Sequence, residues 1–173
     1  RWRRRAIDDS VKQLYGAERA LSSLERVVRG DGSPGVALPA SADRRVHRVA
    51  VALGGHGSLP YAHQDFGKGF VHILDEVTLP LILGELDTIS DFLDYFRAKE
   101  ELLERGVALL MEGQEEDLLA FYIHQGRTFP SEPDMLVVGD NLWETVTKKP
   151  EWVARKGADR ESYVWDGLIE TLL

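Results

Sequence analysis

Val46-His47-Arg48-Val49-Ala50-Val51-Ala52-Leu53-Gly54-Gly55-His56-Gly57-Ser58 is the stretch on which the fold turns. Its strand-forming part carries valines at 46, 49 and 51, and its latter half, Val49 to Leu53, is apolar at consecutive positions. That pattern predicts a strand over Val46–Leu53 lying in a sheet covered on both faces. The glycines after Leu53 end it. Upstream, Ile7, Val11, Leu14, Leu21, Leu24 and Val28 recur at steps of three, four and seven. They predict one helix of about six turns with a single buried stripe. Between helix and strand, Gly30-Asp31-Gly32-Ser33-Pro34-Gly35 reads as loop. Helix, loop and buried strand are half of an α/β unit, so the chain reads as α/β to α+β.

Downstream the character changes. Gly69–Asp75 resembles a second, shorter strand, and Thr78–Leu86 a short apolar helix with Pro80 in its first turn. A further helix, capped by Asp87, Thr88 or Ser90, runs to Arg105 with Ile89, Phe92, Leu93, Phe96 and Leu103 inward. Glu115-Glu116-Asp117 opens another, where acids suit the positive end of the helix dipole. Met135–Val138 reads as a last strand. Two helices follow, the final one presenting Val164, Trp165, Leu168, Ile169, Leu172 and Leu173. The expected organisation is an α/β portion over residues 1–53 and a mostly helical accessory region over 54–173.

Composition narrows the chemistry. Zero cysteines among 173 residues exclude disulfides, thiolate zinc sites and a cysteine nucleophile. No apolar run reaches the roughly 20 residues that span a bilayer, and no apolar stretch follows the basic start as in a signal peptide. A cytoplasmic protein with no membrane partner is expected. The net charge of −8 is unevenly spread. Arg1, Arg3, Arg4, Arg5 and Lys12 make the beginning basic, while thirteen acids crowd Asp75 to Asp117. A polyanion such as DNA or RNA would meet the first and be repelled by the second, and a basic protein partner would meet the second.

No complete catalytic signature is present, and no residue is assigned as catalytic or metal-ligating. Gly54, Gly55, His56 and Gly57 form a candidate ligand loop, since glycines beyond a buried strand are where ligands bind in open α/β sheets. The competing reading is a tight chain reversal, because the spacing is neither a Walker A loop nor a dinucleotide fingerprint. His56, His63 and His72 near Asp75 and Glu76 have the residue types of a two-imidazole, one-carboxylate metal site. They lack the i, i+4 spacing of helical zinc sites, and hydrogen-bonded strand histidines are the simpler account. Asp87, Asp91 and Asp94 share a helix side that reads as a solvated face.

Arg4 to Leu24, with Gln13-Leu14, followed by Val46 to Leu53 resembles the end of a restriction-endonuclease-like core of the PD-(D/E)xK fold. In that family an acid-x-lysine strand precedes such a helix, and a buried strand follows it. The resemblance implies a piece of a longer protein whose catalytic strand precedes Arg1 and which uses Mg2+ or Mn2+. The family's catalytic residues match no position here, and Asp9-Ser10-Val11-Lys12 has the wrong spacing. Gly69-Phe-Val-His-Ile-Leu-Asp-Glu, Gly84-Glu-Leu-Asp-Thr-Ile-Ser-Asp-Phe and Ser162-Tyr-Val-Trp-Asp-Gly-Leu-Ile-Glu resemble a region of large uncharacterised bacterial proteins with such a front end. The expected role is the non-catalytic part of a metal-dependent nuclease, supplying core packing and an accessory region. The alternative is a protein-interaction or regulatory module with an acidic surface and no nucleic-acid activity.

Overall fold

A computed structural model describes residues 2–57, 64–131 and 134–159. The fold is mixed α/β and separates into two compact units, Arg1–Glu101 and Leu102–Leu173. The expected divide after Leu53 falls inside the first unit, because strands on either side of it pair with each other.

In the first unit, helix α1 (Asp9–Ser22) continues from a π-helical turn at Arg4–Asp8. Strands β1 (Arg26–Val28) and β2 (Pro34–Ala37) form an antiparallel hairpin. Strands β3 (Val49–Val51), β4 (Gln64–Asp65) and β5 (Phe70–Leu74) make a sheet in the order β3-β5-β4. β3 is parallel to β5 with Val49, Ala50 and Val51 opposite His72, Ile73 and Leu74, while β4 is antiparallel. Helices α2 (Thr78–Glu85) and α3 (Ile89–Glu104) follow. Ile7, Val11 and Tyr15 of the first helix pack on Ala50, Ala52, Val71 and Ile73, a core from which water is excluded. Two polar ties fix the same contact. The Tyr15 hydroxyl donates to the Gly69 carbonyl at 2.7 Å, and Arg48 forks onto Glu18 at 2.7 and 2.6 Å.

The single long helix to Val28 is corrected. Ser22 and Ser23 donate their hydroxyls to the carbonyls of Arg19 and Ala20, the local competition that weakens helices at serine. The Arg44 guanidinium takes the freed carbonyls of Leu21 and Leu24, each at 2.6 Å, where a cation suits the negative helix end. Val27 and Val28 then pair as strand, and Leu24 and Val28 are exposed. The reverse turn centres on Gly32, whose φ of +81° favours glycine. The strand at Val46–Leu53 is also shorter than expected. Only Val49–Val51 is strand, and burial alternates, with Ala50 and Ala52 inside and Val51 and Leu53 exposed. β5 is the strand buried on both faces, because it is the middle strand.

The second unit is not purely helical. β6 (Ala108–Met111) runs parallel to β7 (Met135–Val138), with α4 (Glu115–His124) as the connection between them. α5 (Leu142–Thr147) and a helix α6 over 150–159 follow. Leu109-Leu110-Met111 are good helix formers in isolation, so tertiary pairing overrides local preference there. The buried Asp117 carboxylate accepts from the Gln114 amide at 3.1 Å and the Trp143 amide at 2.9 Å, tying the starts of α4 and α5 together. A side chain at Gly113 would collide with that carboxylate. The apolar set from Val164 to Leu173 lies outside the described residues. Among the described residues no helix is long and apolar enough to cross a membrane.

Candidate functional site

Three side chains that the sequence holds far apart converge in the first unit. His47 precedes β3, His72 lies in the middle of β5, and Glu100 sits on the last turns of α3. Parallel pairing of β3 with β5 brings the histidines together, and α3 covers the same sheet face through Phe96, whose ring lies 4.2 Å from that of His72. The His47 Nδ1 and His72 Nε2 atoms lie 2.9 and 3.0 Å from one oxygen, Glu100 Oε1. One ligand atom from each of the three residues falls within 4.8 Å of the others. Arg45 reaches the second oxygen, Oε2, at 3.4 Å. His72 is fully buried, Glu100 nearly so, and the neighbouring Lys99 is buried too.

Burial sets the charge state. It pushes His72 down to about 4; the bond to Glu100 opposes this and the nearby Lys99 ammonium adds to it. Burial pushes Glu100 up, but the hydrogen bonds from His72 and His47 outweigh it and hold the carboxyl at about 2. At neutral pH, His72 is therefore neutral and Glu100 ionised. The carboxylate only accepts, so His72 carries its proton on Nε2. Its Nδ1 is then a bare lone pair, buried with no hydrogen-bond partner.

Such a set can hold a divalent ion in place of the two shared protons. Ligands about 2.1 Å from a common metal lie roughly 3.0 to 3.4 Å apart at neighbouring octahedral or tetrahedral positions. The two nitrogen–oxygen separations already match the lower figure. Two imidazoles and one carboxylate suit zinc, iron or manganese. The second shell is thin, since a metal on Nε2 moves the His72 proton to Nδ1, which meets no acceptor.

The residues singled out from sequence gather elsewhere. Trp2 donates its indole N–H to the Leu53 carbonyl at 3.0 Å, so the first helical turn lies beside the glycine loop. Arg3, Arg4, Arg5 and Lys12 are exposed, with Lys12 3.6 Å from Asp9, and Arg1 lies outside the described residues. The Gly54 amide is occupied by Glu76 Oε2 at 2.8 Å; the Glu76 amide first, and then this bond, hold the exposed carboxyl below its usual range. Gly55 is buried, and Gly54 and Gly57 adopt positive φ of +79° and +68°, as a tight reversal requires. His56 bonds Asp75 at 3.1 Å, and Asp75 also takes the Val77 and Thr78 amides, capping α2. Burial raises Asp75, but those bonds outweigh it and hold the carboxyl low.

His72 is thus separated from His56, with which the sequence groups it, and pairs instead with His47 and Glu100. His63 lies outside the described residues. Neither local spacing nor composition marks the trio, whose members are separated by 25 and 28 positions. No family model, no curated protein and no solved structure matches this chain.

Proposed function

We propose that the first unit is a module that binds a first-row divalent metal such as Zn2+ or Fe2+ through His47 Nδ1, His72 Nε2 and Glu100. The observation that supports it is the convergence of both imidazole nitrogens on one carboxylate oxygen at 2.9 and 3.0 Å. Binding replaces the protons shared with that oxygen, so affinity falls as pH drops. The test is to load the chain with Zn2+ or Co2+, remove free ion, and measure bound metal by mass spectrometry. One equivalent, lost in His72→Ala and Glu100→Ala, is expected, with the cobalt form showing visible absorption that His56→Ala leaves unchanged. Wild-type protein that retains no metal sinks the reading.

A second reading is favoured by the Trp2–Leu53 bond, which sets the basic turn beside the glycine loop. Here the chain is the non-catalytic part of a metal-dependent nuclease, and Arg1, Arg3, Arg4, Arg5 and Lys12 touch DNA or RNA phosphates. Such contacts carry no sequence information, and affinity should be roughly 10⁻⁶ to 10⁻⁴ M and steeply salt-dependent. The catalytic acids and lysine of that family match no position here, so no step is assigned to these residues. Titrating labelled duplex against wild type and an Arg3→Gln, Arg4→Gln, Arg5→Gln triple variant at two salt concentrations tests the contact. Identical binding removes it, and leaves the acidic face to a basic protein partner.

A further inference from the structure

The hairpin of β1 and β2 presents a strand edge that neither functional reading uses. Among the described residues β1 pairs only with β2, and every residue of β1 is exposed. A two-stranded ribbon is marginal in water by itself and gains from a further strand. Its two outer edges differ. β2 is closed by its own sequence, since Pro34 and Pro39 have no amide proton to donate. Its register adds a bulge: Arg26 lies opposite Ala37 and Val28 opposite Pro34, which leaves Gly35 and Val36 both facing Val27. Prolines and bulges guard a strand edge against pairing. β1 has neither.

The backbone bonds identify the open groups. The Glu25 carbonyl accepts the Leu38 amide at 2.9 Å, and the Arg29 amide donates to the Ser33 carbonyl at 2.9 Å. A side chain on Gly35 would lie 2.9 Å from the Val27 carbonyl oxygen. Residues 25, 27 and 29 therefore turn their peptide groups toward β2. Alternation leaves the amides and carbonyls of Arg26 and Val28 on the open edge. The same pleat sets the exposed side chains of Glu25, Val27 and Arg29 on one face. Neither Glu25 nor Arg29 has an ion-pair partner among the described residues.

We propose that this edge pairs antiparallel with the same edge of a second copy of the chain, about a two-fold axis at Val27. That register sets Val27 against its own copy, and Arg26 of each chain exchanges backbone hydrogen bonds with Val28 of the other. It also sets Glu25 of each chain opposite Arg29 of the other, so both charges meet their opposites. Moving the axis to the Val27–Val28 peptide sets Arg26 against Arg29 instead, and like charges oppose that register. The paired surface is short, well below the roughly 800 Å² per partner of a stable complex, so the dimer is weak and concentration-dependent. It is independent of the metal centre and of the nucleic-acid reading.

Sedimentation equilibrium of the intact chain from about 5 µM to about 500 µM should show reversible monomer and dimer. Arg29→Glu and Glu25→Arg should each weaken the dimer roughly tenfold, because both cross-strand pairs then set like charges together. Mixing the two variants should restore association, since every glutamate then faces an arginine. The chain has no cysteine, so one introduced thiol reports the register. Val27→Cys should cross-link under mild oxidation roughly tenfold faster than Val28→Cys. Only position 27 meets itself, at a non-hydrogen-bonded pair whose Cα spacing of roughly 4.5 Å suits a disulfide. If a charge variant melts early by circular dichroism, the cross-linking comparison decides alone. The proposal is overturned by a monomer throughout the concentration range or by a dimer that the charge variants leave unchanged. Folded variants that fail to associate when mixed, or equal cross-linking at the two positions, also overturn it.

Discussion

Each unit carries a parallel pair of strands, and each buries a carboxylate on a helix, but the two acids meet different partners. Asp117 in the second unit accepts from backbone amides of Gln114 and Trp143, close in space to the start of its own helix. Glu100 in the first unit accepts from His47, His72 and Arg45, side chains brought in from β5 and from the segment that precedes β3. An amide proton at a helix start cannot leave, so Asp117 is a fixed structural cap. Imidazole protons can leave or give way to a metal, so Glu100 sits in a site whose occupancy can change. Burial of an acid, then, does not by itself mark function. The chemistry of what it binds does.

The contrast is broken most directly at Asp117. Asp117→Ala removes two partly buried hydrogen bonds to a carboxylate and leaves both donors without it, so urea unfolding should show a loss of about 3 kcal/mol. A loss under about 1 kcal/mol would mean that the carboxylate is incidental to α4 and α5.

Next in size is a pH effect confined to the first unit's cluster. The folded-state value of His72, about 4, lies below its ordinary 6.5, so the unfolded chain takes up the proton first. Stability from this residue is complete above pH 6.5 and drains away as pH falls to about 4, a loss of about 3 kcal/mol. Glu100, held at about 2 against an ordinary 4.5, adds a second loss as pH falls from 4.5 toward 2. Urea midpoints from pH 7 to 4 should therefore decline in wild type and flatten in His72→Phe over the upper window. Equal slopes in the two proteins would show that His72 is not the group that titrates.

The smallest effect sharpens the rule by moving a backbone-bound charge into the first unit. Arg44 donates to the Leu21 and Leu24 carbonyls from a half-buried position, so Arg44→Ala should cost about 1 kcal/mol and leave metal retention unchanged. A loss of bound metal in that variant would couple the α1 terminus to the centre.

Much of the local structure was legible, and the reasons it failed elsewhere are specific. Thr88 caps α3, as expected, by accepting the Asp91 amide at 3.0 Å. The inward face of that helix was only partly placed. Phe96 is buried as expected, but Ile89 is 81% and Leu93 37% exposed, whereas Tyr95, Lys99, Glu100 and Leu102 are buried. An apolar stripe discards Lys99 and Glu100, the two residues that complete the real face, and so discards the site with them. The hairpin at Arg26–Ala37 failed for a different reason. Leu24 and Val28 continue a helical period by coincidence, and only the Arg44 cap and the strand partner Pro34–Ala37 decide against it.

By itself the sequence determined the mixed α/β class, the breaks at its glycine clusters, α2, most of β5 and the inward placement of Ile7 and Val11 on the first helix. These follow from periodicity and backbone stereochemistry, which act over a few residues. Tertiary structure alone decided that β6 is a strand, that β5 rather than β3 is covered on both faces, and that His47, His72 and Glu100 meet. Those outcomes depend on which strands pair and which helix covers them. Residues separated by 25 and 28 positions become neighbours only through that pairing, and no local pattern encodes it.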